Sequence, residues 1–302
     1  MVLLASRTLH CIFLLVLFLP LSIHSATVYK YKDANGRWQF TDKPPKEQRA
    51  QAQVLEFKPE AKDPLALQFQ YETVGKVLHA YVVNPFHLPI EAKIFFKNNA
   101  LPEVTVTIPA NGRTVFYRNE QKMPRFRYRY TWGEPNSRHN FGGYRLPVSS
   151  FSQHHISQGF NGRFSHTKPS SRHAVDIALP IGTDIVAARA GVVAFVRDDY
   201  AFGGAKKYFL DKANVVYVLH DDGTYALYAH LLMGSVVVKA GQSVKAGDVL
   251  GLSGTSGFST GPHLHFVIRK NSNFKTISVP FKFIDERGLF TPERKQKICP
   301  CR

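Results

Sequence analysis

Residues 261–268 read GPHLHFVI. Aromatic and β-branched residues follow the two histidines, so this run is predicted to be a strand. On a strand, side chains at i and i+2 share a face. His263 and His265 therefore project the same way, and Leu264 enters the opposite layer. Two imidazoles on one strand face make half of a zinc site, although such a pair alone is more often without metal. The glycine-rich stretch GLSGTSG at 251–257 leads into this strand and lets backbone approach it closely.

Further chemistry-bearing residues lie upstream. Asp176 sits in RHAVDIALP, a carboxylate inside an apolar run, and a buried carboxylate is costly unless it is paired or bound to a cation. His173 lies three residues before it and His166 ten before it. His230 ends the run Tyr225–Leu231. His220 precedes a turn in LHDDG and reads as structural. His154 and His155 are adjacent, so on a strand they face opposite ways and cannot both enter one site. His79, His87 and His139 have no partner pattern.

The remaining sequence points to an all-β fold. Aromatics make up 13% of the chain, mostly Phe and Tyr, which favours strands. In residues 65–148, runs at 77–83, 90–96 and 104–108 alternate as strands, and a β-sandwich-like domain is expected. Within it, FRYRY at 126–130 alternates aromatic residues with Arg: one face buried and Arg in solvent, or a basic aromatic surface for an anionic glycan. From 149 to 283, strands are expected at 192–196, 215–219, 225–231 and 264–268. KAG at 239–241 and KAGD at 245–248 are two similar turns. Residues 284–302 read as a tail, with Cys299 and Cys301 close to its end. A bond between those two would close a very small, strained ring; an intermolecular link or no role at all is the alternative.

The N-terminus reads differently. Arg7, the unbroken apolar run Cys11–Leu19, and small residues at Ser25 and Ala26 match a secretory signal over 1–25. Nine apolar residues are fewer than the ~20 that span a bilayer as a helix, so no stable membrane insertion is expected after cleavage. Residues 26–45 alternate around DANG, a hairpin, and resemble a small module of unknown function on exported proteobacterial proteins. Residues 46–64 read as a linker. The net charge of +17 suits anionic polymers or lipids in the envelope, and nucleic acid is not expected as a partner.

Four pieces in order carry a family resemblance: FSH at 164–166, AVDIALPIGT at 174–183, YAHL at 228–231 and GLSGTSGFSTGPHLHF at 251–266. The stretch from Gln158 to Ile268 resembles the lysostaphin/LytM-type zinc metallopeptidases. The resemblance implies a compact antiparallel β-sheet peptidase domain with an open groove, a Zn2+ cofactor, and hydrolysis of peptidoglycan cross-links in the periplasm. It places ligands at Asp176 and His265 and a non-ligand histidine pair at His230 and His263. Many members carry the first ligand histidine four residues before the aspartate, where this chain has Arg172. A variant pattern, Phe-Ser-His, a short insertion, then Tyr-Ala-x-Asp, instead makes His166 the ligand and puts His173 at the Tyr position. The residues favour the same choice: an odd offset on a strand turns His173 away from Asp176, whereas the loop 167–172 can bring His166 back.

Three other readings compete. Some relatives lose zinc ligands and activate another cell-wall hydrolase, but every candidate ligand is present here. VVVKAGQSVKAGDVL at 236–250 resembles the hairpins of biotinyl and lipoyl domains, yet it shows no modifiable lysine at a tip. Nucleic-acid binding rests on charge alone.

Overall fold

A computed structural model describes residues 26–32, 38–41, 52–57, 66–97, 101–140, 142–150 and 152–299. The signal expected over 1–25 lies outside them. Nearly every regular element is a strand, and no helix among the described residues is long and apolar enough to cross a membrane.

The expected hairpin is formed by Ala26–Lys32 and Trp38–Thr41, paired antiparallel; its turn lies outside the described residues. The reading of 46–64 as a linker needs correction, because Gln53–Phe57 is a strand on the other edge of Ala26–Lys32. It joins by backbone pairing from Ala26↔Phe57 to Lys30↔Gln53, and Val54 is exposed.

The middle region forms two three-stranded antiparallel sheets. One joins Gln68–Val74, Val77–Val83 and Arg113–Asn119; the other joins Val104–Ile108, Ile90–Phe96 and Phe126–Trp132. Ile90, Ala92, Ile94 and Phe96 are buried in alternation, as a half-buried strand requires. In Phe126–Trp132 the aromatics turn inward, with Phe126 and Tyr128 packing on Phe69, while Arg127 and Arg129 are exposed.

The C-terminal region is built on a nine-stranded antiparallel sheet. Across its centre run Gly191–Arg197, Val215–Leu219, Tyr225–Ala229, His263–Ser272, Val175–Ala178 and His154–Gln158. One face carries Ile177, Val216, Ala226, Tyr228, Leu264 and Phe266 into a closed core. Two small sheets cover that face. The opposite face carries Asp176 and His265 and stays open at one end. At the other end the middle region closes it: Trp132 packs on Phe195 and Tyr217, with ring centroids 5.5 and 4.9 Å apart.

Two boundaries differ from expectation. The chain joins the C-terminal core before residue 149: Tyr144, Leu146 and Val148 are buried there, and Tyr144–Arg145 pairs in parallel with Phe283–Asp285. The stretch read as a tail carries strands at Gly288–Phe290 and Lys297–Ile298. The latter extends the large sheet beside His154–Gln158, with Ile298 fully buried. Strands of two or three residues flanked by prolines leave no periodicity to read. Cys299 is disulfide-bonded; Cys301 lies outside the described residues.

Candidate active site

Strand register builds the site. Asp176 pairs directly with His265, and His265 with Ala229, so both donors share the open face. His166 reaches them from the turn-rich segment between strands His154–Gln158 and Val175–Ala178. Its Nε2 lies 3.2 Å from Asp176 Oδ1, and His265 Nδ1 lies 2.8 Å from the same oxygen. The three ligand atoms all lie within 4.8 Å of one another.

The second nitrogen of His166 fixes its tautomer. Nδ1 lies 2.9 Å from the Gly159 carbonyl, which can only accept, so Nδ1 carries a proton and Nε2 is the nitrogen left to face Asp176. A Cβ at Gly159 would meet Arg294 N and Pro292 O at 3.2 Å each, so this turn needs glycine to lie against the C-terminal segment. Gln158 ties the arrangement together. Its amide donates to Asp176 Oδ2 at 2.8 Å and to Ser165 Oγ at 2.7 Å, and its carbonyl accepts the Phe164 N–H. Burial pushes the Asp176 carboxyl up, but hydrogen bonds from His166 and His265 outweigh it and hold the group well below the usual carboxylate range. Asp176 is therefore anionic, and the two ring nitrogens and the carboxylate oxygen converge on one point where a metal cation could replace the imidazole protons.

His230 and His263 form a second pair beside the first, their ring centroids 4.6 Å apart. The expected run to Leu231 stops as a strand at Ala229, because His230 has φ 68° and cannot continue the ladder. A non-glycine residue held there costs about 1–3 kcal/mol, a strain that concentrates at functional positions. His230 Nδ1 lies 2.6 Å from the Ser256 carbonyl and His263 Nδ1 lies 2.8 Å from the Gly261 carbonyl. In the neutral form each therefore carries its proton on Nδ1. Burial, reinforced by His263 and His265, pushes His230 down to about 3, so it is neutral near pH 7. His263 Nε2 lies 3.8 Å from Asp176 Oδ1.

The remaining histidines stand apart. His173 is held by Ser278, with Nδ1 3.0 Å from its carbonyl, and its ring meets Phe160 edge-on. His220 is buried against Thr224, and burial followed by the nearby Arg189 pushes it down to about 3. His154 is buried and His155 exposed, the opposed directions expected of neighbours.

All four clustered histidines and Asp176 are thus brought together, and four of these five border a cavity of about 480 Å³. Every residue lining it lies between Ser157 and Arg269, so the middle region does not cover the cluster. A neighbouring cavity of about 740 Å³ continues past Asp176 between Gln158–Phe164 and Thr291–Arg294. Sequence reading did not anticipate Gln158 as an orienting group or the C-terminal segment as a groove flank. The Q-G pair before FSH was the available signal for the first; nothing local marked the second.

Residues 170–276 match the model of Peptidase family M23, and residues 14–66 match a domain of unknown function, DUF4124. The M23 match lies within the C-terminal half of the chain, and His166 lies just before the matched stretch. The chain is 36% identical over 126 residues to an uncharacterized metalloprotease of Buchnera aphidicola subsp. Baizongia pistaciae, covering 41% of this chain and 30% of that protein. It is 37% identical over 125 residues to the peptidoglycan DD-endopeptidase ShyA of Vibrio cholerae, covering 40% and 26%. The chain therefore spans less than a third of the length of these relatives. Among solved structures, the catalytic domain of the M23 protein EnpA from Enterococcus faecalis aligns with 27% identity and a TM-score of 0.33, covering 41% of this chain and 87% of that one.

Proposed function

We propose that this protein is an exported, zinc-dependent endopeptidase that hydrolyses peptide cross-links of periplasmic peptidoglycan. The observation that carries the reading is the convergence of His166 Nε2, Asp176 Oδ1 and His265 Nδ1 in an open groove, with a second histidine pair alongside. Two imidazoles and one carboxylate suit zinc. The donor separations of 2.8 and 3.2 Å at Asp176 compare with about 3.3 Å along the edges of a tetrahedral zinc site. His166, Asp176 and His265 would hold the ion. Bound zinc supplies Lewis acidity, lowering the pKa of a water from 15.7 to about 7 and polarising the scissile carbonyl.

The rest of the chemistry belongs to side chains. His230 and His263 each have Nδ1 held by a backbone carbonyl, which leaves Nε2 for the substrate side, and His230 is neutral near pH 7. Either can take the proton of the attacking water, and the imidazolium so formed can return it to the leaving amine. Gln158 keeps Asp176 turned towards the two ligand histidines. The name of ShyA, an endopeptidase acting on peptidoglycan, supports the substrate class.

Digestion of purified sacculi, with products read by mass spectrometry, tests the proposal. Cross-linked dimers should fall with zinc present and persist with a chelator. Unchanged cross-linking with zinc bound would favour a non-catalytic activator of another hydrolase.

A further inference from the structure

The face that holds His265 also carries two arginines. Direct register pairs run Asp176, His265, Ala229, Val215, Arg197 in one row across the sheet. Arg197 therefore stands three strands from His265 on the same face, roughly 14 Å away at ~4.8 Å per strand. Arg269 lies four residues beyond His265 on its own strand, again on that face and roughly 14 Å away at ~3.4 Å per residue. Arg197 and Arg269 line the cavity that holds the histidines. They also line an adjoining cavity of about 230 Å³ that ends against Trp132 of the middle region. The two arginines border the opening between the cavities.

Both are half-buried and held in place by backbone. Arg197 Nε donates to the Ala213 carbonyl at 3.0 Å, and Arg269 Nε donates to the Ser170 carbonyl at 2.8 Å. Those bonds brace each guanidinium without neutralising it, and that of Arg197 also lies over the Tyr200 ring, 5.0 Å from its centroid. Among the described residues neither arginine forms an ion pair; Asp211, the acid that feels Arg197, is exposed and paired with Lys212 at 3.1 Å. The floor between them and the histidines is apolar: Val215, Leu227 and Ala229. A preorganised, partly desolvated guanidinium facing an apolar trough suits a planar carboxylate.

We infer that Arg197 and Arg269 form a carboxylate-binding subsite at the Trp132 end of the groove. It takes an extended acidic peptide whose carboxylate lies about four residues from the bond at the histidines, at ~3.4 Å per residue. The inference rests on the peptidase reading above and adds the side of the substrate that the groove selects. The middle region enters as the end wall of the subsite.

The test is binding, which does not depend on turnover. The zinc-loaded protein is titrated calorimetrically with the uncross-linked tetrapeptide stem of Gram-negative peptidoglycan, carboxylates free, and with the same peptide fully amidated. The free acid should bind at least tenfold tighter. Arg197→Gln and Arg269→Gln should each cut that preference to threefold or less while leaving affinity for the amide within twofold. Peptides amidated only at the C-terminus or only at side-chain carboxylates identify which group is held. Equal binding of acid and amide by the wild type, or equal losses for both in the variants, would overturn the subsite. If Arg269→Gln loses its brace to Ser170 and fails to fold, Arg197→Gln decides alone. A wild type that prefers the acid but leaves sacculi cross-linked would contradict the peptidase reading and spare the subsite.

Discussion

His166 and His173 show how one side chain's surroundings separate a ligand from a structural residue. His166 is 1% exposed, donates from Nδ1 to Gly159 and turns Nε2 to Asp176. His173 spends its Nδ1 on Ser278 and its ring on Phe160. His166→Ala should abolish both bound zinc and cross-link cleavage. His173→Ala should keep zinc and lose about 1 kcal/mol of stability with its hydrogen bond. Zinc content by atomic absorption checks both, and a metal-free His173→Ala beside a metal-bound His166→Ala would reverse the assignment. Face parity pointed to this choice in the sequence, but the strand begins only at Val175 and His173 lies in the turn before it, so its contacts with Ser278 and Phe160, rather than parity, hold it away from Asp176. Parity was silent about His220, which was read as structural; it lies buried with Nε2 lacking a hydrogen-bond partner among the described residues. Its folded value of about 3 lies below the ~6.5 of an unfolded chain. The unfolded state therefore takes up a proton first as pH falls. The stability contribution is complete above about pH 6.5 and is lost progressively towards about pH 3. His220→Gln should remove about 2 kcal/mol of the stability difference between pH 7 and pH 5. Urea midpoints at the two pH values measure it, and an unchanged difference would mean that His220 does not titrate as described.

At the scale of elements, the groove walls matter as much as the strands that carry the histidines. Strands Val77–Val83, Ile90–Phe96, Val104–Ile108 and Val215–Leu219 were legible with their bounds, because five to seven alternating residues reveal a period of two. The run around the paired histidines was legible in its middle only; it extends to Ser272 because Lys275–Ser278 folds back on it. Lys297–Ile298 and Phe283–Asp285 were not legible: two or three residues have no period, and the pairings with His154–Gln158 and Tyr144–Arg145 reach more than a hundred residues back. Loops make the rest of the site, and one contact between them is unusually close. Gly203 forms a bridge with Gly257, and a Cβ there would collide with the carbonyls of Thr255 and Gly257. Those are backbone atoms and cannot swing away. The loop at 254–257 also supplies the Ser256 carbonyl that locks His230. Gly203→Ala should therefore displace His230 and cut kcat/KM by about 100-fold, as a misplacement of about 1 Å does. Zinc should stay bound, because His166, Asp176 and His265 lie on other elements. Turnover of a soluble cross-linked muropeptide, with zinc content beside it, reads the effect; activity within twofold of wild type would refute the coupling.

For the molecule as a whole, two hydrophobic cores are divided differently from the sequence pattern. One lies inside the C-terminal region and already includes Tyr144, Leu146 and Val148. The other runs continuously from the sandwich residues Ala80, Ile90 and Phe116 to Phe195, Leu227 and Val267 on the groove face of the large sheet. The contact is reinforced by polar bonds, with Asn271 donating to Glu91 at 2.8 Å and Thr131 donating to the Phe274 carbonyl at 3.1 Å. The middle region is thereby a fixed wall of the groove. A chain begun at Ser149, where the sequence pattern changes, would discard three buried side chains. At about 1.5–3 kcal/mol each, that is about 5–9 kcal/mol, comparable with the ~5–15 kcal/mol total stability of a domain. A chain begun at Gly142 keeps those three residues and the pairing of Tyr144–Arg145 with Phe283–Asp285, and it loses the shared core with the middle region, including the cover over Phe195 and Tyr217, and the bonds to Glu91 and Thr131. The Ser149 fragment should therefore lack a cooperative thermal transition. The Gly142 fragment should melt cooperatively at a lower temperature than the intact chain and bind a hydrophobic dye at the exposed aromatics. Circular dichroism melts of the two fragments beside the intact protein decide it. A cooperative melt from the Ser149 fragment would show that the core closes without residues 144–148.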